Sequence, residues 1–309
     1  MLPSPGEILE QRLYAEAERR GEPIESVRDD LLRRGLDAAR AAREARAVAS
    51  DVVLVTATPT EHKQLERAAK ELGTGFDKLP GRYGPYYRLG LVGANRVVSI
   101  QVSMGAFSPD GAAARCIQAR AETQATTIIL IGTAFGVAPG RQHIGDVIVS
   151  ESVFLYDDCR VVDADGRPLL GRYEVQYPTS RKSASRTWHD RFRRLGEAYV
   201  RTGATERVEV GVILSGGARI ESAAFRDELL ASLPAMEQPV IGGEMEGMGA
   251  VSAALASDPA DDPGWVIVKG ISDFADASSR SKIKETRAEA ARASAMAVLR
   301  VPQLPPRSE

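Results

Sequence analysis

Cysteine is scarce in this sequence: Cys116 and Cys159 are the only two among 309 residues. Their spacing forms no pair and no histidine lies near either, which argues against a disulfide framework and against a zinc site. Two free thiols are typical of a reducing compartment. Long apolar runs are also lacking, since none approaches the roughly 20 residues of a membrane span. The N-terminus MLPSPGEILEQ lacks the basic and apolar regions of a signal peptide. We therefore expect a cytoplasmic protein that contacts no membrane.

The sequence also lacks an excess of charge of one sign. Forty basic residues face 42 acidic ones, which leaves a formal net charge of -2. Proteins that follow a phosphate backbone need a basic surface, so nucleic acid is not an expected partner. The composition, 43% hydrophobic and 27% charged, is that of an ordinary globular chain. Its length suits one large α/β domain with a small additional element.

Residues 6–48 have the composition and periodicity of helices throughout. The stretch EILEQRLYAEAERR is followed by a break at Gly21, Glu22 and Pro23, after which an alanine-, leucine- and arginine-rich run continues to residue 48. This pattern predicts a helical hairpin over residues 1–50. Such a hairpin buries little apolar surface alone, so we expect it to pack on the main domain or on another copy.

From residue 51 to about 300, predicted strands alternate with predicted helices. Apolar segments such as DVVLVTA, TTIILIGT and GWVIVKGIS are bounded by glycine and read as strands. Helices are predicted at about 59–72, 110–124, 223–232, 244–256 and 283–299. This alternation predicts an α/β fold with a single mixed, mostly parallel twisted sheet flanked by helices. Residues 301–309 are expected to form a loose tail.

Acidic residues recur where predicted strands end. Glu61 follows the first strand, Glu244 and Glu246 follow PVIG, and Asp273 follows WVIVKGIS. Each carboxylate has an ordinary structural explanation, because carboxylates complement helix N-termini. However, ligands of open α/β sheets bind at strand ends, and these acids come from three separate elements. Glycine-containing loops at 103–105 and 132–136 would let backbone approach such a ligand closely, although neither is a P-loop or a dinucleotide fingerprint.

The succession VVLVTATPTEHKQL, LIGTAFGVAP, IGDVIVSESVFLYDD, VGVILSGGARI, GGEMEGMGAVSAA and VIVKGISDFAD resembles the nucleoside phosphorylase and nucleosidase superfamily. The likeness is greatest to the methylthioadenosine/S-adenosylhomocysteine nucleosidases, and EMEG and ISDFAD are its most specific parts. It extends over roughly residues 51–300 in order. Residues 1–48 fall outside it.

The resemblance implies cleavage of the N-glycosidic bond of a purine nucleoside or nucleotide. We expect the purine to be adenine. This reaction needs an acid near N7 of the leaving base and a carboxylate that activates water. By the pattern of the family, Asp273 is that acid and Glu61 activates the water. Thr133 and Lys269 match positions that help to hold the water. No metal or organic cofactor is implied.

The resemblance also implies the residues that bind the substrate. Glu246 would bind the ribose hydroxyls with Met245 beneath the sugar, and the backbone of residues 218–220 would face the base. The whole implied binding set is Thr133, Ala134, Phe135, Ala218, Arg219, Ile220, Met245, Glu246, Lys269 and Ser272. Two positions depart from the family pattern: Arg219 replaces an aromatic that stacks on adenine, and Phe135 replaces a glycine. Phe135 supplying the stacking face is one interpretation, and a pocket for a different base is another.

Hydrolysis is favoured over phosphorolysis because Glu61 stands where the nucleosidases carry their base. A carboxylate there repels phosphate, and the glycine-aspartate-arginine phosphate motif of uridine phosphorylases is missing. A phosphate-dependent phosphorylase remains one alternative. A sensor or adaptor that binds a nucleoside without cleaving it is another, and the additional hairpin favours it. The superfamily is commonly oligomeric, so we expect a homo-oligomer.

Six cations lie in the arginine-rich segment between Arg160 and Arg207: Arg181, Lys182, Arg186, Arg191, Arg193 and Arg194. They are either a solvated face or a site for a 5′-phosphate of the substrate. Together with the hairpin at 1–48, which offers a surface for a protein partner, they suggest a nucleotide-depleting effector of a bacterial antiviral defence system. His62, beside Glu61, is interpreted as a surface residue rather than a group that tunes this base.

Overall fold

The computed structural model describes residues 5–163, 173–177, 181–203, 207–256, 262, 264–276 and 283–301. The chain divides into two compact units, Met1–Ala47 and Val48–Glu309. Beyond Val301 the predicted tail lies outside the described residues. No helix in the described ranges is long and apolar enough to cross a membrane.

The first unit is the predicted helical hairpin. Helix α1 (Pro5–Arg20) and helix α2 (Ile24–Val48) are separated at the predicted break, where Gly21 adopts a φ of 66°. Ala17 and Val27 are buried. Arg20 joins the two helices, because its Nη1 lies 2.9 Å from Asp30 Oδ2. Ion pairs and a few small apolar contacts therefore hold this hairpin.

The second unit contains the alternating strands and helices. The strands are β1 (Val52–Thr56), β2 (Asp77–Leu79), β3 (Tyr86–Val92), β4 (Asn95–Gln101), β5 (Thr127–Gly136), β6 (Val147–Leu155), β7 (Arg160–Asp163), β8 (Tyr173–Gln176), β9 (Lys182–Ser183), β10 (Val208–Ser215), β11 (Val240–Glu244) and β12 (Trp265–Asp273). The helices are α3 (Pro59–Glu71), α4 (Ala112–Thr123), α5 (Arg186–Thr202), α6 (Ala223–Ser232), α7 (Gly247–Leu255) and α8 (Ile283–Arg300).

One mixed sheet organises this unit. Its strand order is β11-β10-β6-β12-β5-β1-β4-β3-β2, with β9 paired to β6, while β7 and β8 form a separate ribbon. Strand β11 pairs with β10 in parallel and with the far end of β5 in antiparallel orientation. As a result, β5, β12, β6, β10 and β11 close into a circuit. This closure brings the ends of β5, β11 and β12 together at one place.

Helices cover both faces of the sheet. Alternate residues of β1 point to opposite sides, as the period of a strand requires: Val53 and Val55 join a core cluster that includes residues of α4 and α7. Val52 and Leu54 join the opposite cluster, to which α3, α5 and α8 contribute. The predicted α/β fold with a mixed, helix-flanked sheet is confirmed.

Two helices differ from the sequence prediction. The helix predicted from Glu244 begins only at Gly247, because Glu244 is the last residue of β11. The arginine-rich segment, which the sequence left unassigned, contains helix α5. This helix is amphipathic, with Trp188, Phe192 and Leu195 buried. Its many arginines on the outer face obscured that apolar stripe.

Candidate active site

A pocket lies where the ends of several strands converge. It is lined by Thr58, Thr60, Glu61, Met104, Thr133, Ala134, Phe135, Ala218, Arg219, Ile220, Glu221, Gly243, Glu244, Met245, Glu246, Ser272, Asp273, Asp276, Ile283 and Arg287. Eleven of the twelve site residues predicted from the sequence are in this lining, and Lys269 is the exception. The four carboxylates singled out at strand ends, Glu61, Glu244, Glu246 and Asp273, all line this pocket.

Glu61 stands at the start of α3 and is held by two elements. Its Oε2 accepts hydrogen bonds from the backbone N–H groups of Ala57 at 2.9 Å and Thr58 at 2.8 Å. Thr58 in turn caps the helix by accepting from the Glu61 N–H, which completes a capping box. Glu61 Oε1 accepts from the Thr133 N–H at 2.8 Å, across from the end of β5. The contacts that cap helix α3 therefore also fix the Glu61 carboxylate in the pocket.

Gly132 makes this arrangement sterically feasible. Its φ is 146°, a region that favours glycine. A Cβ atom at this position would lie 2.2 Å from Glu61 Oε1. Only a residue without a side chain can therefore bring the Thr133 N–H to the Glu61 carboxylate.

Glu246 is fixed from two sides. Its Oε1 accepts a hydrogen bond from the Gly105 N–H at 3.1 Å, in the loop after β4, and its Oε2 lies 3.2 Å from Lys269 Nζ. Lys269 is fully buried and does not line the pocket. The lysine of β12 thus contacts Glu246 rather than the open pocket, and its expected role in holding water stays a prediction.

Glu244 belongs to the same buried cluster but has different partners. It accepts hydrogen bonds from the N–H groups of Glu246 at 3.0 Å and Gly247 at 2.8 Å, at the start of α7. Burial raises the pKa of the Glu244 carboxyl, and the nearby Lys269 ammonium opposes that shift. Burial alone would lower the pKa of Lys269, but Glu246, Glu61 and Glu244 outweigh it and raise that pKa. The lysine charge is thereby held among three carboxylates.

Asp273 ends β12 and is oriented by its neighbours. The Ser272 hydroxyl donates to Asp273 Oδ2 at 2.8 Å, and the Ala275 N–H donates to Oδ1 at 2.9 Å. Ala275 adopts a φ of 55°, a conformation that costs a residue with a side chain about 1–2 kcal/mol. The buried Arg226 of α6 donates to the carbonyl of Phe274 and holds this turn.

Phe135 lies between the acidic strand ends. It is opposite Asp273 of β12 on one side and Gly243 of β11 on the other. A Cβ atom on Gly243 would lie 2.3 Å from the Phe135 ring, so the ring packs on that backbone. Arg219 is about half exposed (47%), and its Nη2 pairs with Glu221 Oε1 at 2.7 Å. The carbonyl of Ala218 accepts from the Tyr156 hydroxyl at 2.7 Å, which fixes the loop after β10.

The sequence did not single out several lining residues. The segment TPTE contains the signature of a capping box, which is a Thr followed three residues later by Glu at the start of a helix. Met104 lies in the predicted ligand loop 103–105 and Asp276 ends the ISDFAD motif, although neither was named as a site residue. No local pattern identified Ile283 or Arg287, which reach the pocket only through the fold.

The six cations of the arginine-rich segment are all described, and none lines this pocket. Arg193 pairs instead with Asp190 at 2.7 Å, and Arg191 lies 4.9 Å from the centre of the Trp188 ring. The hypothesis that they bind a substrate phosphate is therefore not supported by their positions.

His62 is also not the surface residue that the sequence suggested. It packs against the rings of Phe76 and Tyr87, whose centroids lie 5.2 and 4.2 Å away. Burial lowers its pKa. Within the described ranges, no cluster of three or more acidic, histidine or cysteine residues could hold a metal ion.

Together, the fold and the pocket define an α/β protein with a carboxylate-lined pocket at the ends of its strands. Residues 51–302 match the model of the phosphorylase superfamily, so the chain belongs to this family. The relationship inferred from EMEG and ISDFAD is confirmed. No curated protein sequence matches the chain.

Solved structures share the fold at low sequence identity. The 5′-methylthioadenosine/S-adenosylhomocysteine nucleosidase of Neisseria meningitidis, bound to methylthio-immucillin-A, is 22% identical with a TM-score of 0.61, covering 81% of this chain and 97% of that one. The corresponding protein of Colwellia psychrerythraea, bound to adenine, is 19% identical with a TM-score of 0.62, covering 82% and 95%. Futalosine hydrolase of Helicobacter pylori is 17% identical with a TM-score of 0.61, covering 84% and 100%.

Proposed function

We propose that this protein hydrolyses the N-glycosidic bond of a purine nucleoside or nucleotide and releases the free base. The observation that carries the proposal is the convergence of Glu61, Glu246 and Asp273 from three elements in one pocket. These are the groups that such a reaction needs: a base for water, a ligand for the sugar hydroxyls and an acid for the leaving group. The names of the structural neighbours, which include a nucleosidase and a hydrolase, support the same reaction.

In this mechanism Asp273 donates a proton to N7 of the purine as the bond between C1′ and N9 breaks. The base then leaves as a neutral molecule, which lowers the barrier. The turn at Ala275 and the Ser272 hydroxyl keep the Asp273 carboxyl facing the pocket. Phe135, next to Asp273 across the sheet, offers an apolar ring to the base.

Glu61 orients a water molecule and accepts its proton as the water oxygen attacks C1′ of the oxocarbenium-like sugar. The carboxylate has about four acceptor positions. Three are used by backbone N–H groups, and the fourth accepts a long hydrogen bond from the Thr133 hydroxyl at 3.3 Å. The attacking water would take this last position in place of the Thr133 hydroxyl.

Glu246 binds the ribose hydroxyls, and Met245 packs beneath the sugar. Lys269 and the Gly105 N–H keep the Glu246 carboxylate in one orientation before the substrate arrives. Preorganisation of this kind reduces the entropy that binding would otherwise cost.

Product analysis tests the reaction directly. Wild-type protein is incubated with adenosine, methylthioadenosine, AMP, ATP, inosine and guanosine, with and without inorganic phosphate. We expect free base and a free sugar or sugar 5-phosphate in both conditions. Strict dependence on phosphate with a sugar 1-phosphate product would make the protein a phosphorylase, and binding without any cleavage would make it a sensor.

The biological role that we propose for this activity is nucleotide depletion in a bacterial defence response. The hairpin of residues 1–48 would then contact a protein partner, and the second unit would form a homo-oligomer. The hairpin supports this view because it lies outside residues 51–302, the part that matches the phosphorylase superfamily.

A further inference from the structure

Arg287 is a cation of the pocket that the mechanism does not use. It lies in the second turn of α8, is half-buried and lines the same pocket as Glu61 and Asp273. Lys269 is paired with Glu246 and Arg219 with Glu221. Within the described part of the chain, no ion pair of Arg287 with a carboxylate is formed. Its charge is therefore available to a ligand.

The half-buried position of Arg287 is costly without an anion. Removing an unpaired guanidinium from water, even in part, carries a desolvation cost. A bound anion would offset that cost. Ile283, the first residue of α8, also lines the pocket, and the partial positive charge of a helix N-terminus favours an anion there.

The carboxylates of the pocket confine an anion to this end. Glu61 accepts three backbone N–H groups, Glu244 and Glu246 share Lys269, and Asp273 is held by Ser272 and Ala275. Asp276 also has a partner. These negative groups repel an anion from the sugar and base regions. The remaining favourable place lies beside Arg287.

We propose that Arg287 binds a phosphate monoester on the 5′ carbon of the substrate sugar, so that the preferred substrate is a purine nucleotide. This inference rests on the proposed function and narrows its substrate class. A guanidinium can donate two parallel hydrogen bonds to a phosphate group, which gives direction as well as charge. Phosphate binding, which the sequence suggested for the arginine-rich segment, is thus assigned to Arg287 of α8.

The test compares kcat/KM for AMP and for adenosine in four proteins: wild type, Arg287→Ala, Arg287→Lys and Arg292→Ala. Arg292 is the matched control, because it lies on the same helix but pairs with Glu71 at 2.7 Å outside this pocket. We expect wild type to prefer AMP and Arg287→Ala to lower the AMP-to-adenosine ratio about tenfold or more. Arg287→Lys should keep part of the preference, and Arg292→Ala should keep all of it.

Three results would overturn the inference. The wild-type protein could have the higher kcat/KM for adenosine. Arg287→Ala could lower kcat/KM equally for AMP and adenosine. Arg287→Ala could also change only the dependence of the rate on inorganic phosphate, which would make the anion a co-substrate. Thermal shifts with AMP and adenosine separate this inference from the proposed reaction. An AMP-specific shift that Arg287→Ala abolishes, in a protein that cleaves neither compound, would refute the reaction and retain the phosphate site.

Discussion

Glu244 and Glu246 are two residues apart, yet their side chains perform different tasks. Glu244 accepts the N–H groups at the start of α7 from a fully buried position. Glu246 is held by Lys269 and the Gly105 N–H and lines the pocket beside Met245. The first carboxylate therefore supports the turn, and the second is available to a ligand.

Alanine substitutions should separate these tasks. Glu246→Ala should raise KM about tenfold or more, because hydrogen bonds from substrate hydroxyls to a carboxylate are lost. Glu244→Ala should mainly lower the free energy of unfolding, by about 1–3 kcal/mol, because buried N–H groups lose their acceptor. Steady-state kinetics and denaturant unfolding measure the two effects.

Glu237→Ala is the control, since Glu237 is exposed and precedes β11. A Glu244→Ala protein of normal stability whose KM rises as much as that of Glu246→Ala would refute this separation of roles.

At the residue scale, the sequence identified most of the pocket but not its internal contacts. EMEG and ISDFAD pointed to Glu246 and Asp273 because the spacing of a family motif is local. The contact of Lys269 with Glu246 joins β12 to the turn after β11, and Arg287 enters from α8. Such contacts depend on strand pairing and helix packing, which no local pattern records.

At the scale of elements, the site depends on the junction between β5 and α3. The Thr133 N–H reaches Glu61 because Gly132 leaves room for the carboxylate. The Glu61 carboxylate therefore belongs both to the capping box of α3 and to the proposed water site.

Gly132→Ala should displace the Glu61 carboxylate, since the new methyl group would lie 2.2 Å from Oε1. A displacement of about 1 Å can cost about 10²-fold in rate, so we expect a loss of kcat of this order. Gly140→Ala is the matched control: Gly140 also has a positive φ, of 95°, but no atom lies within 4 Å of its added Cβ. Equal loss of kcat in both variants would mean that backbone strain, not Glu61, is responsible.

Element boundaries were predicted well where glycine and apolar runs mark them, as in β12, α6 and α8. The start of α7 was placed three residues early, because Glu244 and Met245 are compatible with a helix and only the pairing of β11 with β10 and β5 reveals a strand. Closure of the sheet through β11 could not be predicted from strand patterns alone.

At the scale of the whole molecule, the chain joins a superfamily unit to a separate helical hairpin. The family match begins at residue 51, and the two compact units divide after Ala47. We infer that residues 48–309 contain all that base release requires.

Deletion of residues 1–47 should therefore leave kcat and KM within about twofold of the full chain, because substitutions away from a site have small effects. Binding of a protein partner should be lost. Kinetics, light scattering and a comparison of co-purifying proteins would check this. A truncated protein that is folded but inactive would show that the hairpin contributes to the site, and unchanged partner binding and oligomeric state would remove the interaction role of the hairpin.

The central claim is that Asp273 and Glu61 act as acid and base in base release. It is tested most directly by single-turnover release of adenine from AMP or adenosine in wild type, Asp273→Asn, Glu61→Gln and the control Glu237→Gln, each shown to be folded by circular dichroism. We predict that each of the two pocket variants releases base at least about 10²-fold more slowly, with the control unchanged. Folded Asp273→Asn and Glu61→Gln proteins that release adenine at the wild-type rate would contradict the account.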